Sequence, residues 1–244
     1  MENKEKNFIS AVIYVYNAEN RIENFLSAII EVLEKNFEHS EIICVNDGSV
    51  DGSLEKIKNI AERATATSIT VINMSYFHGR EIAMNAGVDM SIGDFVFEFD
   101  NTTLNFDVDF VMQIYRRSLQ GYDIVSASPD KRERITSRLF YRVFDRFANL
   151  SYEMTTESFR LLSRRVINRI GSMNKTILYR KAMYANCGLK TDNMKYSVVA
   201  PMKKGADQRE KNYRSRLAVD SLILFTDDCV KIGLNRKSLI NSGF

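Results

Sequence analysis

Between residues 9 and 127, short apolar runs alternate with amphipathic stretches, and this alternation constrains the fold more than any other feature of the chain. Residues 9–15 (ISAVIYV) are apolar and rich in β-branched side chains, as a buried strand requires. From Arg21 to Phe37, Ile22, Phe25, Leu26, Ile29, Ile30 and Leu33 recur at three- and four-residue spacing, which gives a helix one apolar face. Glu41–Val45 is a second apolar run, closed by the turn cluster NDGSVDGS. The pattern continues with a helix over Leu54–Arg63, a strand over Ser68–Met74, a helix over Glu81–Ser91 and a strand over Phe95–Phe99. A helix over Val108–Leu119 and a strand over Tyr122–Ala127 complete it. Strands separated by single helices predict βαβ crossovers and an α/β fold, Rossmann-like, with a mixed but mostly parallel sheet flanked by helices. Open sheets of this kind bind ligands beyond the carboxyl ends of their strands. The polar residues that follow each strand are therefore the first candidates: Tyr16-Asn17, Asn46-Asp47, Ser75 to Arg80, and Asp100 to Thr103.

Composition narrows the choice further. Only 2 Pro and 11 Gly occur, too few for an all-β sandwich with a turn every few residues. Three widely spaced cysteines, Cys44, Cys187 and Cys229, form neither a disulfide framework nor a CxxC metal knuckle and suit a reducing compartment. The N-terminal MENKEKNF lacks the apolar core of a secretory signal, and no run approaches the roughly 18 apolar residues of a membrane span. No repeat or linker interrupts the chain. It reads as one domain, 1–244, with a regular half at about 8–128, a less regular half at about 129–225 and a tail at 226–244.

Charge is unevenly spread. Lys131 to Arg146 and Lys203 to Arg216 each hold six basic and two acidic residues, so the remainder is net acidic although the whole carries +3. Within the first patch, Ile135, Leu139, Val143 and Phe147 repeat at four-residue spacing, with Arg134, Arg138, Arg142 and Arg146 on a neighbouring face. Two readings stay open: solvated helix faces, or surfaces that attract phosphates or an anionic membrane. Nucleic acid is not expected, because no aromatic-basic RNA-binding pattern accompanies the patches.

The series YVYNAEN, VNDGSVDGS, HGREIAMNAG and GDFVFEFDNTT, each at a strand end, resembles family 2 glycosyltransferases of the GT-A fold. The later segments SRLFYRVF, ESFRLLSRR and REKNYRSRLAVD resemble the branch that contains dolichol-phosphate mannose synthase and bactoprenol-phosphate glycosyltransferases. The resemblance covers roughly residues 8–225. It implies a nucleotide-sugar donor contacted by Tyr16, Asn17, Glu19, Asn46, Asp47, Gly48 and Arg80. By the chemistry of the residues, Asp47 can accept from a base N–H and Gly48 permits close backbone approach. His78 has no other ligand type at metal spacing and reads as a turn residue.

The family's D-x-D motif supplies oxygen ligands to Mg²⁺ or Mn²⁺, which neutralise the departing diphosphate. Asp100 and Thr102 occupy its two positions, with a hydroxyl where the second acid would be. The resemblance makes Asp100, Glu157 and Arg160 the catalytic candidates, with Glu157 a possible base or extra charge near the metal, or simply an exposed loop acid. Arg132, Lys211, Tyr213 and Arg214 are the candidates for the diphosphate and acceptor. The implied activity is inverting transfer of a sugar from a nucleotide-sugar to a polyprenyl phosphate or a growing cell-surface glycan. It would take place in the cytoplasm at the inner face of the membrane, and a homo-oligomer is compatible with it. A second reading is a nucleotide-sugar-binding protein without turnover, suggested by departures at Tyr14, Ala18, Asn46, Tyr76, Thr102, Ser158 and Asn212.

Overall fold

The structure, a computed structural model, describes residues 4–64, 66–130, 156–173, 179–199 and 208–225. Seven strands are joined to seven helices in the described residues: β1 (Ile9–Val15), α1 (Glu19–Asn36), β2 (Ser40–Asp47), α2 (Ser53–Ala61), β3 (Ser68–Met74), α3 (Arg80–Met90) and β4 (Phe95–Phe99). There follow α4 (Phe110–Ser118), β5 (Ile124–Pro129), β6 (Phe159–Ser163), α5 (Arg164–Ser172), α6 (Arg180–Asn186), β7 (Thr191–Tyr196) and α7 (Gln208–Phe225). Each periodic segment from residue 9 to 127 folds as its pattern predicts, with ends displaced by a few residues. Helix ends fray and strand ends depend on their neighbours, so such offsets are ordinary.

The strands form one sheet in the order β3-β2-β1-β4-β6-β5-β7. β1 pairs in parallel with both β2 and β4, and β2 with β3. β6 is reversed: it runs antiparallel to β4 on one side and to β5 on the other, while β5 and β7 are parallel. The sheet is therefore mixed and mostly parallel, with the carboxyl ends of β1 to β4 gathered along one edge.

Side-chain alternation sends neighbouring residues to opposite faces. Ile9, Ala11, Ile13 and Val15 of β1 join Ile42 and Cys44 of β2 and Phe97 and Phe99 of β4 in one apolar cluster with the inner faces of α1 and α4. Aromatic side chains fill much of it: Phe99 lies 5.3 Å from Phe25 and 5.2 Å from Phe159, centroid to centroid. Val12, Tyr14, Ile43, Val45 and Val96 face the other way, against Ala83 and Met84 of α3 and Ile167 of α5. Burial pushes the Cys44 thiol up to about 12, so it is an inert part of the first cluster.

The chain divides into two compact units. One comprises Met1–Lys131, Glu157–Lys175 and Leu189–Lys203 and carries the whole sheet; the other comprises Arg132–Thr156, Thr176–Gly188 and Lys204–Phe244. Residues beyond 128 thus supply β6, α5 and β7 to the same sheet as the first half. The basic amphipathic segment Ile135–Phe147, with Arg132, lies outside the described residues. Among those described, no helix is long and apolar enough to cross a membrane.

Candidate active site

The strand-end loops are tied to one another by the polar residues that the sequence singles out. Asp47, the last residue of β2, has no exposed surface. Its Oδ1 accepts the backbone N–H of His78 at 2.7 Å, and its Oδ2 accepts that of Gly79 at 2.9 Å and the hydroxyl of Tyr14 at 3.0 Å. A buried carboxylate needs such donors, and here they fix the loop that leads into α3. Gly48 follows with φ +64°, and a Cβ there would lie 2.5 Å from the carbonyl carbon of Tyr76. Close backbone approach is thus required at Gly48, and the approaching backbone is that of Tyr76-Phe77. His78 takes the turn role expected of it: its Nδ1 lies 2.6 Å from the Tyr76 carbonyl, and its ring stacks on the exposed Tyr76 ring at 3.9 Å. Arg80 opens α3, with its Nε 3.8 Å from Glu81.

A second set of bonds latches the β1–α1 loop to the β2–α2 loop. Asn17 has φ +45°, a left-handed conformation that Asn tolerates. Its Oδ1 accepts the N–H of Val50, and its own N–H donates to the Ser49 hydroxyl, both at 3.0 Å. Ala18 N–H donates to Ser53 Oγ at 2.8 Å and Glu19 N–H to Asp51 Oδ2 at 3.0 Å, while Gly52 N–H donates to Glu19 Oε2 at 3.2 Å. Asp51 and Ser53 thereby satisfy donors at the start of α1, which has no side-chain cap of its own. Burial pushes the Asp51 carboxyl up, but hydrogen bonds from the Ser53 hydroxyl and the Glu19 and Ser53 amides outweigh it, leaving the group below its usual range. Tyr16 is nearly buried, its ring 4.7 Å from that of Phe77. Asn46 donates to Asn73 Oδ1 at 2.7 Å.

A cluster of buried charge lies at the join of β4 and β6. Glu98 and Arg160 are directly opposed across this antiparallel pair. Asp100 lies two residues beyond Glu98, and two-residue periodicity points it to the same side. The Arg160 guanidinium, almost wholly buried, donates from Nη1 to Glu98 at 3.0 Å, from Nε to Glu157 at 3.0 Å and from Nη2 to Asp100 at 3.2 Å. All three expected catalytic residues meet here. Glu157 is not an exposed loop acid: its side chain is 3% exposed and ion-paired. Ser158 bonds instead to the Tyr196 hydroxyl at 2.6 Å, which donates to Asn105 at 3.1 Å, joining β6, β7 and the loop after β4. Burial pushes the Tyr196 phenol above its usual range, against the pull of those two hydrogen bonds.

Sequence reasoning missed Glu98, Asn105 and Tyr196, and took Tyr14 only as a departure from the family pattern. Glu98 had one signal, an acid inside the apolar run FVFEF; Tyr196 had none, since β7 (TDNMKY) is largely polar. Lys211 and Tyr213 lie on α7, in the second unit, and the side chain of Arg214 lies outside the description.

Among the described residues, no group of three or more His, Cys, Asp or Glu side chains is arranged to hold a metal ion. Thr102 is nearly buried, and Asp100 gives one oxygen to Arg160. This donor set does not make an all-protein cage. It does fit a hard divalent cation carried largely by phosphate oxygens and water, which needs only one or two carboxylates.

The protein thus joins a mixed, mostly parallel α/β sheet to a carboxylate at the β4 end and clasped loops beyond β1 and β2. The sequence model described as "Glycosyl transferase family 2" matches residues 10–171, and the chain belongs to that family. It is 31% identical over 186 residues to an uncharacterized glycosyltransferase of Synechocystis, covering 74% of this chain and 58% of that protein. It is 29% identical to the prophage bactoprenol glucosyl transferase homolog of Escherichia coli, covering 77% and 62%. The chain thus spans about three-fifths of the length of these relatives. Among solved structures, glucosyl-3-phosphoglycerate synthase from Mycobacterium tuberculosis with UDP superposes with a TM-score of 0.62 at 17% identity, over 89% of this chain and 79% of that one. The mannosyltransferase of Pyrobaculum calidifontis with GDP-Man and Mn²⁺ gives 0.61 at 13%, over 96% and 81%. These likenesses establish the GT-A fold.

Proposed function

We propose that this chain moves a sugar from a nucleotide-sugar to the phosphate of a polyprenyl acceptor. The observation that carries the reading is the Asp100–Arg160–Glu157 cluster at the β4 end of a family 2 sheet. Relatives named bactoprenol glucosyl transferase point to the lipid phosphate. The clasped loops bearing Tyr16, Asn17, Glu19, Asn46, Asp47 and Gly48 form the nucleotide side, with Asp47 and Glu19 acting through the backbone they hold. Arg80, at the start of α3, serves the diphosphate. Asp100 and Thr102 would hold Mg²⁺ or Mn²⁺, which, when bound, offsets charge on the departing diphosphate. Arg132, Lys211, Tyr213 and Arg214 are proposed for the acceptor, at the cytoplasmic membrane surface.

Acceptor chemistry fits the ion pairing at Glu157. A sugar hydroxyl needs a base, and Glu157 already gives Oε2 to Arg160. A phosphate monoester is itself an anionic nucleophile, so catalysis reduces to in-line positioning and stabilisation of the leaving group. The test is release of nucleoside diphosphate from UDP-glucose, GDP-mannose or dTDP-glucose, with Mn²⁺, on adding undecaprenyl phosphate. Acceptor-dependent release is expected. Release stimulated only by a glycan would move Glu157 forward as the base.

The second reading, a nucleotide-sugar binder without turnover, draws on the hydroxyl of Thr102 in place of a second acid. Tight donor binding with no release under any acceptor would favour it.

A further inference from the structure

Glu98 is a charged residue with no exposed surface in the middle of a strand, and a carboxylate is kept in such a place only when it is paired. Its partner is Arg160, opposite in register, whose three donating nitrogens point to three different carboxylates. The three contacts are not alike. Glu98 and Glu157 are held at 3.0 Å with side chains 0% and 3% exposed, whereas Asp100 is at 3.2 Å and 7% exposed. The guanidinium is thus anchored at two corners by deeper acids and touches the acid at the strand end through its longest contact.

We infer that Glu98 is a positioning residue for Asp100, acting through Arg160. By drawing Nη1 toward the strand interior, Glu98 limits the hold of Arg160 on Asp100. Asp100 is oriented by the contact yet left able to give oxygen to a cation–diphosphate ligand. With the Glu98 charge removed, the Arg160 charge is left to Glu157 and Asp100; it is then less offset from behind, draws more on Asp100 and weakens it as a ligand. Glu157 performs the same service from the loop before β6. The chain therefore tunes its single motif carboxylate from behind, with acids that need not touch the donor.

This inference rests on the nucleotide-sugar reading above. The test is calorimetric titration of the purified chain with UDP, GDP and dTDP across a series of Mn²⁺ concentrations, with melting curves as the control for folding. Glu98→Gln is expected to raise the Mn²⁺ concentration for half-maximal nucleotide binding about tenfold, in the range found when groups behind a metal ligand are altered. Metal-free nucleotide binding should not change. Glu157→Gln, which frees Nε, should shift it in the same direction and serves if Glu98→Gln does not fold. Variants that melt lower but keep the wild-type Mn²⁺ dependence would overturn the inference and leave Glu98 a structural ion pair. Wild-type protein that binds no nucleotide with Mn²⁺ would sink the underlying reading instead, and the inference with it.

Discussion

Asp100 and Thr102 differ in what they offer a cation: a charged oxygen against a neutral one. Replacing Asp100 by Ala removes the only carboxylate at the two motif positions and leaves Arg160 without its outer partner. Donor turnover with Mn²⁺ is expected to fall about 100-fold or more, at least the upper range for losing a group that merely supports a ligand. Unchanged turnover and Mn²⁺ response would place the metal elsewhere. Thr102→Asp, conversely, should lower the Mn²⁺ requirement, measured in the same titration, if residue 102 faces the cation. Asp100 was legible because it stands at a strand end, where chemistry collects in open sheets. Glu98 was not, because its meaning depends on Arg160, more than 60 positions on, arriving beside it by antiparallel pairing. Tyr14 was read as a departure from a family pattern. Only the fold reveals that its hydroxyl occupies Asp47.

Helix α3 sits close on β1 and β2 because Gly87 has no side chain. A Cβ there would lie 2.8 Å from the Val45 side chain and press still harder on Val12. Both valines belong to a packed sheet, so neither yields easily. Gly87→Ala should cost about 1–3 kcal/mol in denaturant melts despite its better helix propensity; a stabilised variant would mean that α3 is free to lift. The latch between the loops before α1 and α2 has a pH signature. Asp51 titrates below its usual range in the folded state, so its contribution is present above the unfolded value of about 4 and is lost as pH falls through the lowered one. Wild type should therefore melt above Asp51→Asn at neutral pH, and the two should converge on acidification below about pH 4. A gap that persists in acid would assign the loss to shape rather than charge. Elements up to residue 127 were legible because each helix carries its own 3.6-residue period and each buried strand its own apolar run. After it, β6 was legible only through the resemblance carried by ESFRLLSRR, and β7 was not, because both owe their strand form to long-range pairing and β7 is largely polar.

At the scale of the molecule, the two basic segments carry a surplus that the rest of the chain does not share. The first segment and residues 203–207 of the second lie outside the described residues, and it is their charge that bears on an anionic surface. A phosphate on a lipid can be reached only at a bilayer surface, where each nearby Lys or Arg contributes about 1 kcal/mol with anionic lipid. Such attraction reaches only as far as the Debye length, about 10 Å at 0.1 M salt. The chain is therefore expected to co-sediment with phosphatidylglycerol vesicles at low salt, to release as salt rises, and to ignore phosphatidylcholine. Replacing Arg134, Arg138 and Arg142 by Gln removes three charges from the first segment and leaves the clasped loops and the Glu98–Arg160 pair untouched. Vesicle binding should fall several-fold while nucleotide affinity holds. Wild-type protein that stays in the supernatant with anionic vesicles at low salt would detach the basic segments from any membrane role. A water-soluble acceptor would then be the better reading, and with it the need for a base.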